Sequence, residues 1–199
     1  MSILRVLIVV FSFVVSAQAT SVIPPTFDEL VRESELIFRG RVTAVRSGWS
    51  EAGVKLRIAT WVTFAVERTL RGEAGAAITL EFMGGEVGER RMEVAGWPRF
   101  EVGDRGIFFV ENRQGRMCPL VRLRHGRYRI VREESSAVEG VVRDDYSPVE
   151  AATNFAVPLA ERNASPSAAA RTPAIALAAC EALIASRSAL LPRMERAAR

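Results

Sequence analysis

One stretch of alternating residues limits the fold more than any other feature of the sequence. From Val54 to Leu70, apolar side chains recur at every second position, with polar or charged ones between them for most of that length. Because side chains on a β-strand point alternately to its two faces, this period predicts a long, half-buried strand. A strand of this length must coil or bend to bury one face continuously, as strands of small closed barrels do.

Other strand-like segments lie along the middle of the chain, and Leu36–Val45 and Ile78–Phe82 share this period. These predicted strands are Leu36–Val45, Ile78–Phe82, Glu89–Val94, Ile107–Val110, Leu120–Leu123, Tyr128–Val131 and Val138–Val142. The uninterrupted apolar run at Ile107–Val110 is typical of a strand buried on both faces. Leu120–Leu123 and Tyr128–Val131 predict a hairpin with Gly126 in its turn, and Val138–Val142 predicts an edge strand. Since glycine turns rather than helical periods separate the strands, we expect a mainly β protein with a small antiparallel barrel or sandwich rather than a parallel sheet.

Two helices are expected at the ends of the barrel. Thr26-Phe27-Asp28-Glu29 is a capping box that predicts a short helix with Leu30 and Val31 on its apolar side. Near the other end, Thr172-Pro173 predicts the start of a helix that Pro192 stops at about Leu191. Its apolar stripe comprises Leu177, Cys180 and Ile184.

The amino terminus has the pattern of a secretory signal peptide. Arg5 precedes an apolar run from Val6 to Val15, and Ala17-Gln18-Ala19 supplies small residues for cleavage before Thr20. The run is about half of the ~20 residues that a membrane span needs. We therefore expect an exported protein, periplasmic or secreted. Its predicted organisation is a signal peptide (1–19), a barrel domain (20–150), an Ala/Pro-rich linker (151–171), a helix (172–192) and a tail (193–199).

Export affects how the two cysteines are interpreted. An oxidising compartment permits a disulfide between Cys118 and Cys180. Such a bridge would close a long loop and stabilise the fold by ~4 kcal/mol. The alternative is that both side chains are small buried hydrophobic groups.

The composition excludes most catalytic chemistry that depends on imidazole or thiolate clusters. The chain has 1 His and 2 Cys, which is too few for common zinc sites. No G-x-S-x-G motif presents a serine to His125. Asp144-Asp145 precedes Tyr146-Ser147-Pro148 and is interpreted as a solvated turn rather than an acid/base pair. We therefore expect neither an enzyme nor a cofactor or metal, and a hydrolase remains the weakest hypothesis.

The basic charge is concentrated in one segment. The chain carries 27 Lys+Arg against 23 Asp+Glu, and the predicted hairpin contains Arg122, Arg124, Arg127 and Arg129. Arginines alternating along a strand are typical of its solvated face. A more specific alternative is a site for an anionic surface glycan. Nucleic acid is not an expected partner of an exported protein.

The amino-terminal third resembles a known family. Ser21-Val22-Ile23-Pro24-Pro25, the segment Ser34–Val42 and the strand end Val66–Gly72 are similar to the opening of tissue inhibitors of metalloproteinases and related netrin-like modules. The resemblance covers about residues 20–82, and less clearly 102–110. It implies an OB-type barrel, in agreement with the strand pattern.

The resemblance also implies a mechanism. In the inhibitors, the amine and carbonyl of the first mature residue chelate the zinc of a protease, and the second side chain enters its specificity pocket. Thr20 matches the first position, Ser21 the second, and Pro24-Pro25 the family's proline pair. The family's first and third residues are cysteines, whereas Thr20 and Val22 stand there in this chain.

The sequence thus favours an exported, non-catalytic protein-binding module. An exported zinc metalloprotease is the specific candidate partner, contacted through Thr20, Ser21, Pro24 and Pro25. The alternative is an envelope or extracellular module that binds anionic glycan through the arginine-rich segment.

Overall fold

The computed structural model describes residues 24–51, 56–113, 117–132, 138–149 and 175–192. The two α-helices are α1 (Phe27–Glu33) and α2 (Leu177–Leu190), and a 3-10 helix spans Leu123–Gly126. The strands are β1 (Leu36–Ser50), β2 (Arg57–Arg71), β3 (Ala77–Met83), β4 (Gly85–Val87), β5 (Arg90–Met92), β6 (Arg105–Val110), β7 (Arg127–Arg132), β8 (Glu139–Arg143) and β9 (Ile175–Ala176).

All strand pairs are antiparallel, and seven strands form one sheet. Their order is β3-β2-β1-β6-β7-β8-β9, while β4 and β5 form a separate pair. The predicted mainly β class with a short helix at one end and a second helix at the other is confirmed. Within the described residues, the two outer strands β3 and β9 are not paired with each other.

The long alternating segment forms one arm of a hairpin. β2 pairs with β1 from Ile37↔Arg71 to Ser50↔Arg57. β1 is therefore longer than the predicted Leu36–Val45, because its second half pairs with β2. Both strands contain 15 residues, and the β1–β2 ladder shifts register at three places, which bend the pair.

The sheet buries apolar side chains on both of its faces. Leu36 and Phe38 of β1 belong to the first core, which also contains Phe64, Leu80 and Phe108. Ile37, between them in sequence, points to the second core with α1 and α2. All four residues of the predicted two-faced strand Ile107–Val110 are fully buried, as the apolar run indicated.

Two glycines lie opposite each other where the sheet curves around the first core. Gly40 of β1 pairs with Gly106 of β6. The ring centroids of Phe64 on β2 and Phe108 on β6 are 4.6 Å apart, although β1 lies between their strands. In a flat sheet those two strands would be roughly 10 Å apart. The contact therefore requires curvature towards this face.

The backbone approaches both glycines too closely for a side chain. A Cβ on Gly40 would lie 2.7 Å from the Ala65 carbonyl oxygen, and one on Gly106 would lie 2.5 Å from the Tyr128 carbonyl oxygen. The rings of Phe38 and Phe108 also lie against these two positions. Glycine is thus required here by space rather than by its backbone angles.

The second core is covered by the two helices. The predicted capping box is present at α1, and Phe27, Leu30 and Val31 are buried as expected. On α2 the predicted stripe of Leu177, Cys180 and Ile184 is buried in the same core. The helix therefore packs on the sheet.

A buried carboxylate also holds α2 against the sheet. Glu181 lies 2.7 Å from the guanidinium groups of both Arg39 and Arg68. Its side chain is 7% exposed, so two positive partners offset much of the cost of removing its charge from water.

The predicted start of α2 is wrong. The helix begins at Leu177 because Ile175 and Ala176 pair with β8 as strand β9. Thr172 and Pro173 lie outside the described residues. Because β8 pairs with both β7 and β9, it lies inside the sheet. The prediction of a strand at Val138–Val142 is therefore correct, but its placement at the edge of the sheet is wrong.

The predicted hairpin around Gly126 is also wrong. β7 pairs with β6 and β8, and of Leu120–Leu123 only Leu120 makes a single bridge, to Val110. Arg122 and Leu123 have positive φ angles of 46° and 65°, which extended strands do not allow. The chain forms a 3-10 turn that folds back until Gly126 meets the backbone of Phe109 and Val121.

The predicted disulfide is absent. Cys118 and Cys180 are both free and buried, Cys118 in the first core and Cys180 in the second. The sheet lies between them, so they cannot bond without unfolding one core. Burial raises the pKa of each thiol to about 12, which matches the alternative of two small buried hydrophobic groups.

The predicted signal peptide (1–19), Thr20, Ser21, the predicted linker (151–171) and the predicted tail (193–199) lie outside the described residues. Within the described ranges, neither helix has the length and apolar character required to cross a bilayer.

The paired glycines lead to a test of stability. We expect Gly40→Ala and Gly106→Ala each to lower the free energy of unfolding by about 2–3 kcal/mol, because a backbone carbonyl occupies the space of the new methyl group. Urea unfolding measures the change. Gly75→Ala is the control, since its Cβ would lie 3.8 Å from the nearest atom and should leave stability nearly unchanged. Equal effects at all three positions would contradict the proposed role of the glycine pair.

Candidate functional site at the arginine-rich turn

A narrow cleft lies where the first described residues meet the 3-10 turn and the turn after β8. It brings together the chain's one histidine, two arginines and two consecutive aspartates. Its lining residues are Pro25, Leu30, Arg124, His125, Tyr128, Arg143, Asp144 and Asp145.

The second residue of the proline pair, Pro25, lines this cleft. Pro25 is buried and Pro24 is half-buried. Directly after them the Thr26 amide donates to Glu29 Oε2 at 2.8 Å, and the Glu29 amide donates to Thr26 Oγ1 at 3.2 Å. These reciprocal bonds fix the direction in which the chain enters α1. The position of Pro25 and the direction of the chain that follows it are therefore fixed.

Arg127 lies behind the cleft and is almost completely buried, with 1% of the residue exposed. Its Nη2 donates to Asp104 Oδ2 at 2.7 Å, and its Nη1 donates to the Arg99 carbonyl. The guanidinium also lies 4.7 Å from the centroid of the Phe100 ring. Arg127 thus ties β7 to the loop at 99–104, which covers the first core.

Asp144 joins two arginines of the same strand. Its Oδ1 lies 3.4 Å from Arg127 Nε and accepts a hydrogen bond from Arg129 Nε at 3.1 Å. Arg129 in turn stacks 5.1 Å from the centroid of the Tyr146 ring. Burial raises the pKa of Asp144, and burial together with the charge of Arg129 lowers that of Arg127, because leaving water disfavours both charged forms.

Asp145 is oriented by its own turn. Its Oδ1 accepts from the amide of Ser147 at 3.0 Å and from the Ser147 hydroxyl at 2.6 Å. Burial alone would raise the pKa of Asp145, but these two bonds and the charges of Arg124 and Arg143 outweigh it, so the pKa is lowered. Asp145 is therefore a carboxylate held beside His125.

His125 lies in the 3-10 turn at the mouth of the cleft. Burial lowers its pKa below the ordinary 6.5, and the positive charge of Arg124 adds to this, while Asp145 acts in the opposite direction. Its imidazole is consequently neutral at pH 7 and above.

The two aspartates of the cleft are engaged with neighbouring residues. The carboxylates of Asp144 and Asp145 are already occupied by hydrogen bonds, and the cleft lining contains neither a serine nor a cysteine. Across the described residues, no group of three or more potential metal ligands comes together.

The four predicted arginines do not form one solvated face. Arg127 is inside the protein, and Arg129 is bound to Asp144. Arg122 points to α1, where its Nη2 lies 2.6 Å from Glu33 Oε1. Arg124 is exposed and lines the cleft. The interpretation as a solvated face is wrong for Arg127 because Asp104 and Asp144, from two other segments, converge on it.

Sequence reasoning missed the roles of these two aspartates. Asp144-Asp145 does lie in a turn, as predicted, but the Asp144 side chain is 11% exposed and is not solvated. Asp104 follows Gly103 in the predicted turn before β6, and nothing in its local sequence indicates its distant partner.

Comparisons with protein-family models, with curated proteins and with solved structures found no match to this chain.

The buried guanidinium gives a second test of stability. We expect Arg127→Met to lower the free energy of unfolding by about 3–5 kcal/mol, because Asp104 and Asp144 lose a buried partner. Urea unfolding measures the loss. Arg124→Met, three residues earlier and exposed, is the matched control and should change stability by less than about 0.5 kcal/mol. Adding Asp144→Asn to Arg127→Met should recover part of the loss, and a lack of coupling between the two changes would contradict the ion pair.

The single histidine permits a direct measurement of its ionisation. An NMR titration should give His125 a pKa below 6.5, and Arg124→Ala should raise it, because a neighbouring positive charge is removed. Because the pKa of His125 is lower in the folded protein than in the unfolded chain, the unfolded chain takes up the proton at a higher pH. His125 should therefore lower the free energy of unfolding as the pH falls from about 6.5 towards the pKa of the folded state. His125→Gln should flatten the pH dependence in that window. A measured pKa at or above 6.5 would contradict the assignment.

Proposed function

We propose that this protein is an exported, non-catalytic binding module that contacts its partner through the segment preceding Pro24-Pro25. The specific partner that we propose is a zinc metalloprotease, with Thr20 as the zinc-chelating residue and Ser21 as the residue that enters the specificity pocket.

The burial of Pro25 is the observation that carries this proposal. Pro25 lies in the cleft beside Leu30 and Tyr128, and the capping box immediately follows it. A binding segment gains affinity when the scaffold limits the orientations that it must lose on binding. The buried proline supplies such a limit five residues after Thr20, in a chain whose first and third mature positions lack the family's cysteines.

The chemistry needs a free terminal amine. An α-amino group has a pKa of about 7.7–8.0, so a substantial neutral fraction exists near pH 7.5. A neutral amine and the carbonyl oxygen of the same residue can occupy the open position of a catalytic zinc in place of water. Any residue ahead of Thr20 converts that amine to an amide, which is a poor ligand.

The alternative, binding of an anionic glycan, has less support from the geometry. Arg127 is buried, and Arg122 and Arg129 are engaged with Glu33 and Asp144. Of the four arginines, Arg124 alone is exposed, so the group does not present a continuous positive surface.

The proposal is tested with two forms of the amino terminus. The chain beginning at Thr20 should inhibit one or more members of a panel of exported zinc metalloproteases. A form with one additional alanine before Thr20 should bind at least about tenfold more weakly, equivalent to ~1.4 kcal/mol, because the chelating amine is lost. Residual protease activity at increasing inhibitor concentration gives both values.

Two controls separate this mechanism from the alternative. Arg124→Ala in the chain beginning at Thr20 should weaken inhibition far less than the added alanine does, since Arg124 lines the cleft that receives Pro25 but has no part in chelation. Binding to a sulfated or uronic-acid glycan should be absent at about 0.15 M salt. Equal inhibition by the two amino-terminal forms, or none by either, would refute the metalloprotease proposal.

A further inference from the structure

Strand β3 is an outer strand of the seven-stranded sheet with one free side. It pairs with β2 from Ala65↔Ala77 to Ala59↔Met83 without interruption. The Val66 amide donates to the Ala76 carbonyl, and the Gly84 amide donates to the Ile58 carbonyl, both at 2.8 Å. Because bonding residues alternate along an antiparallel strand, the even-numbered residues between these two bonds face β2.

The backbone groups of Ala77, Thr79 and Glu81 therefore point away from the sheet. Met83, the next residue in this series, confirms the direction, since its amide donates to the Met117 carbonyl at 3.0 Å and not to β2. Ala77 and Thr79 are exposed. Among the described residues, no backbone partner covers the outward groups of these three residues.

This edge lacks the usual protection against strand pairing. Natural outer strands are commonly blocked by lysine, proline or a bulge. Ala77–Met83 contains neither residue, and its register with β2 has no shift. Its one charge, Glu81, already accepts a hydrogen bond from Ser50 at 2.8 Å and lies 3.4 Å from Arg57.

We propose that β3 pairs with β3 of a second copy of this chain, antiparallel and with the two-fold axis at Thr79. Ala77, Thr79 and Glu81 then each donate and accept one backbone hydrogen bond across the interface. The described 117–120 segment, which meets Met83, limits the pairing to these residues.

The register favours a second copy because the strand is complementary to itself. Thr79 lies opposite Thr79 of the second copy, and Glu81 lies opposite the neutral Ala77, so no like charges face each other. Cross-strand threonine pairs are favourable. On the other face, Ile78 lies opposite Leu80 of the second copy.

A row of threonines supports the same pairing. The Thr43 hydroxyl donates to the Thr63 carbonyl at 3.2 Å, and the hydroxyls of Thr63 and Thr79 lie 2.9 Å apart. The row crosses β1, β2 and β3 and ends at the free edge. Pairing at Thr79 continues this row of threonines into the second copy, where Thr79, Thr63 and Thr43 follow in the reverse order.

Sedimentation velocity of the mature chain from about 1 μM to 1 mM tests the proposal. We expect a concentration-dependent dimer. Thr79→Lys should weaken dimerisation at least about tenfold, because two ammonium groups face each other at the axis. Thr43→Lys is the control, since it adds the same charge to the same row two strands away and should leave the dimer unchanged.

A cross-linking experiment fixes the position of the axis. Thr79→Cys should form a covalent dimer with a short bismaleimide, whereas Thr43→Cys should not. The native thiols are buried and give little background. A monomer over the whole concentration range, or a dimer that Thr79→Lys leaves intact, would overturn the proposal. Either result is independent of protease inhibition, which is measured separately.

Discussion

The close approach of backbone to the glycine pair Gly40 and Gly106 is the constraint on which the rest of the structure depends. With side chains at these positions, the carbonyls of Ala65 and Tyr128 could not lie where they do. The sheet could then not curve enough for Phe64 and Phe108 to meet across β1. The same curvature leaves the opposite face free for α1 and α2, so one local property of two strands organises both cores.

Buried charges then connect the remaining pieces to this sheet. Arg127 joins β7 to the loop at 99–104 and to Asp144, and Glu181 joins α2 to Arg39 and Arg68. Each charge is removed from water and compensated by partners from distant segments, so losing one partner costs more than losing an exposed pair. Because Asp144 is held by Arg127 and Arg129, and Asp145 by the hydrogen bonds of its own turn, the cleft that receives Pro25 has a defined shape. The orientation of the proposed amino-terminal binding segment therefore depends on the ion pairs that Asp144 makes with Arg127 and Arg129 behind the cleft.

Much of the fold could be predicted because periodicity is a local property. Alternation identified β2, and an uninterrupted apolar run identified the two-faced β6. The capping box identified α1, and the spacing of apolar residues identified the buried stripe of α2. The predictions failed where long-range contacts override local pattern. Leu120–Leu123 is mostly apolar, like a short strand, but its backbone forms a turn that packs against β6. The start of α2 is displaced because Ile175 pairs with β8. Cys118 and Cys180 are kept apart because they pack into separate cores on opposite faces of the sheet.

The sequence by itself determined the class of the fold, the order of its strands along the chain and the presence of a single histidine, which is too few for the common zinc sites. These follow from residue types and their spacing, which need no knowledge of distant neighbours. Only the tertiary structure decided which charges are buried, which face of the sheet each cysteine packs on and which strands, among the described residues, are the outer strands of the sheet. Those properties depend on strand order and curvature, which bring together residues such as Arg127 and Asp104 that no local pattern connects.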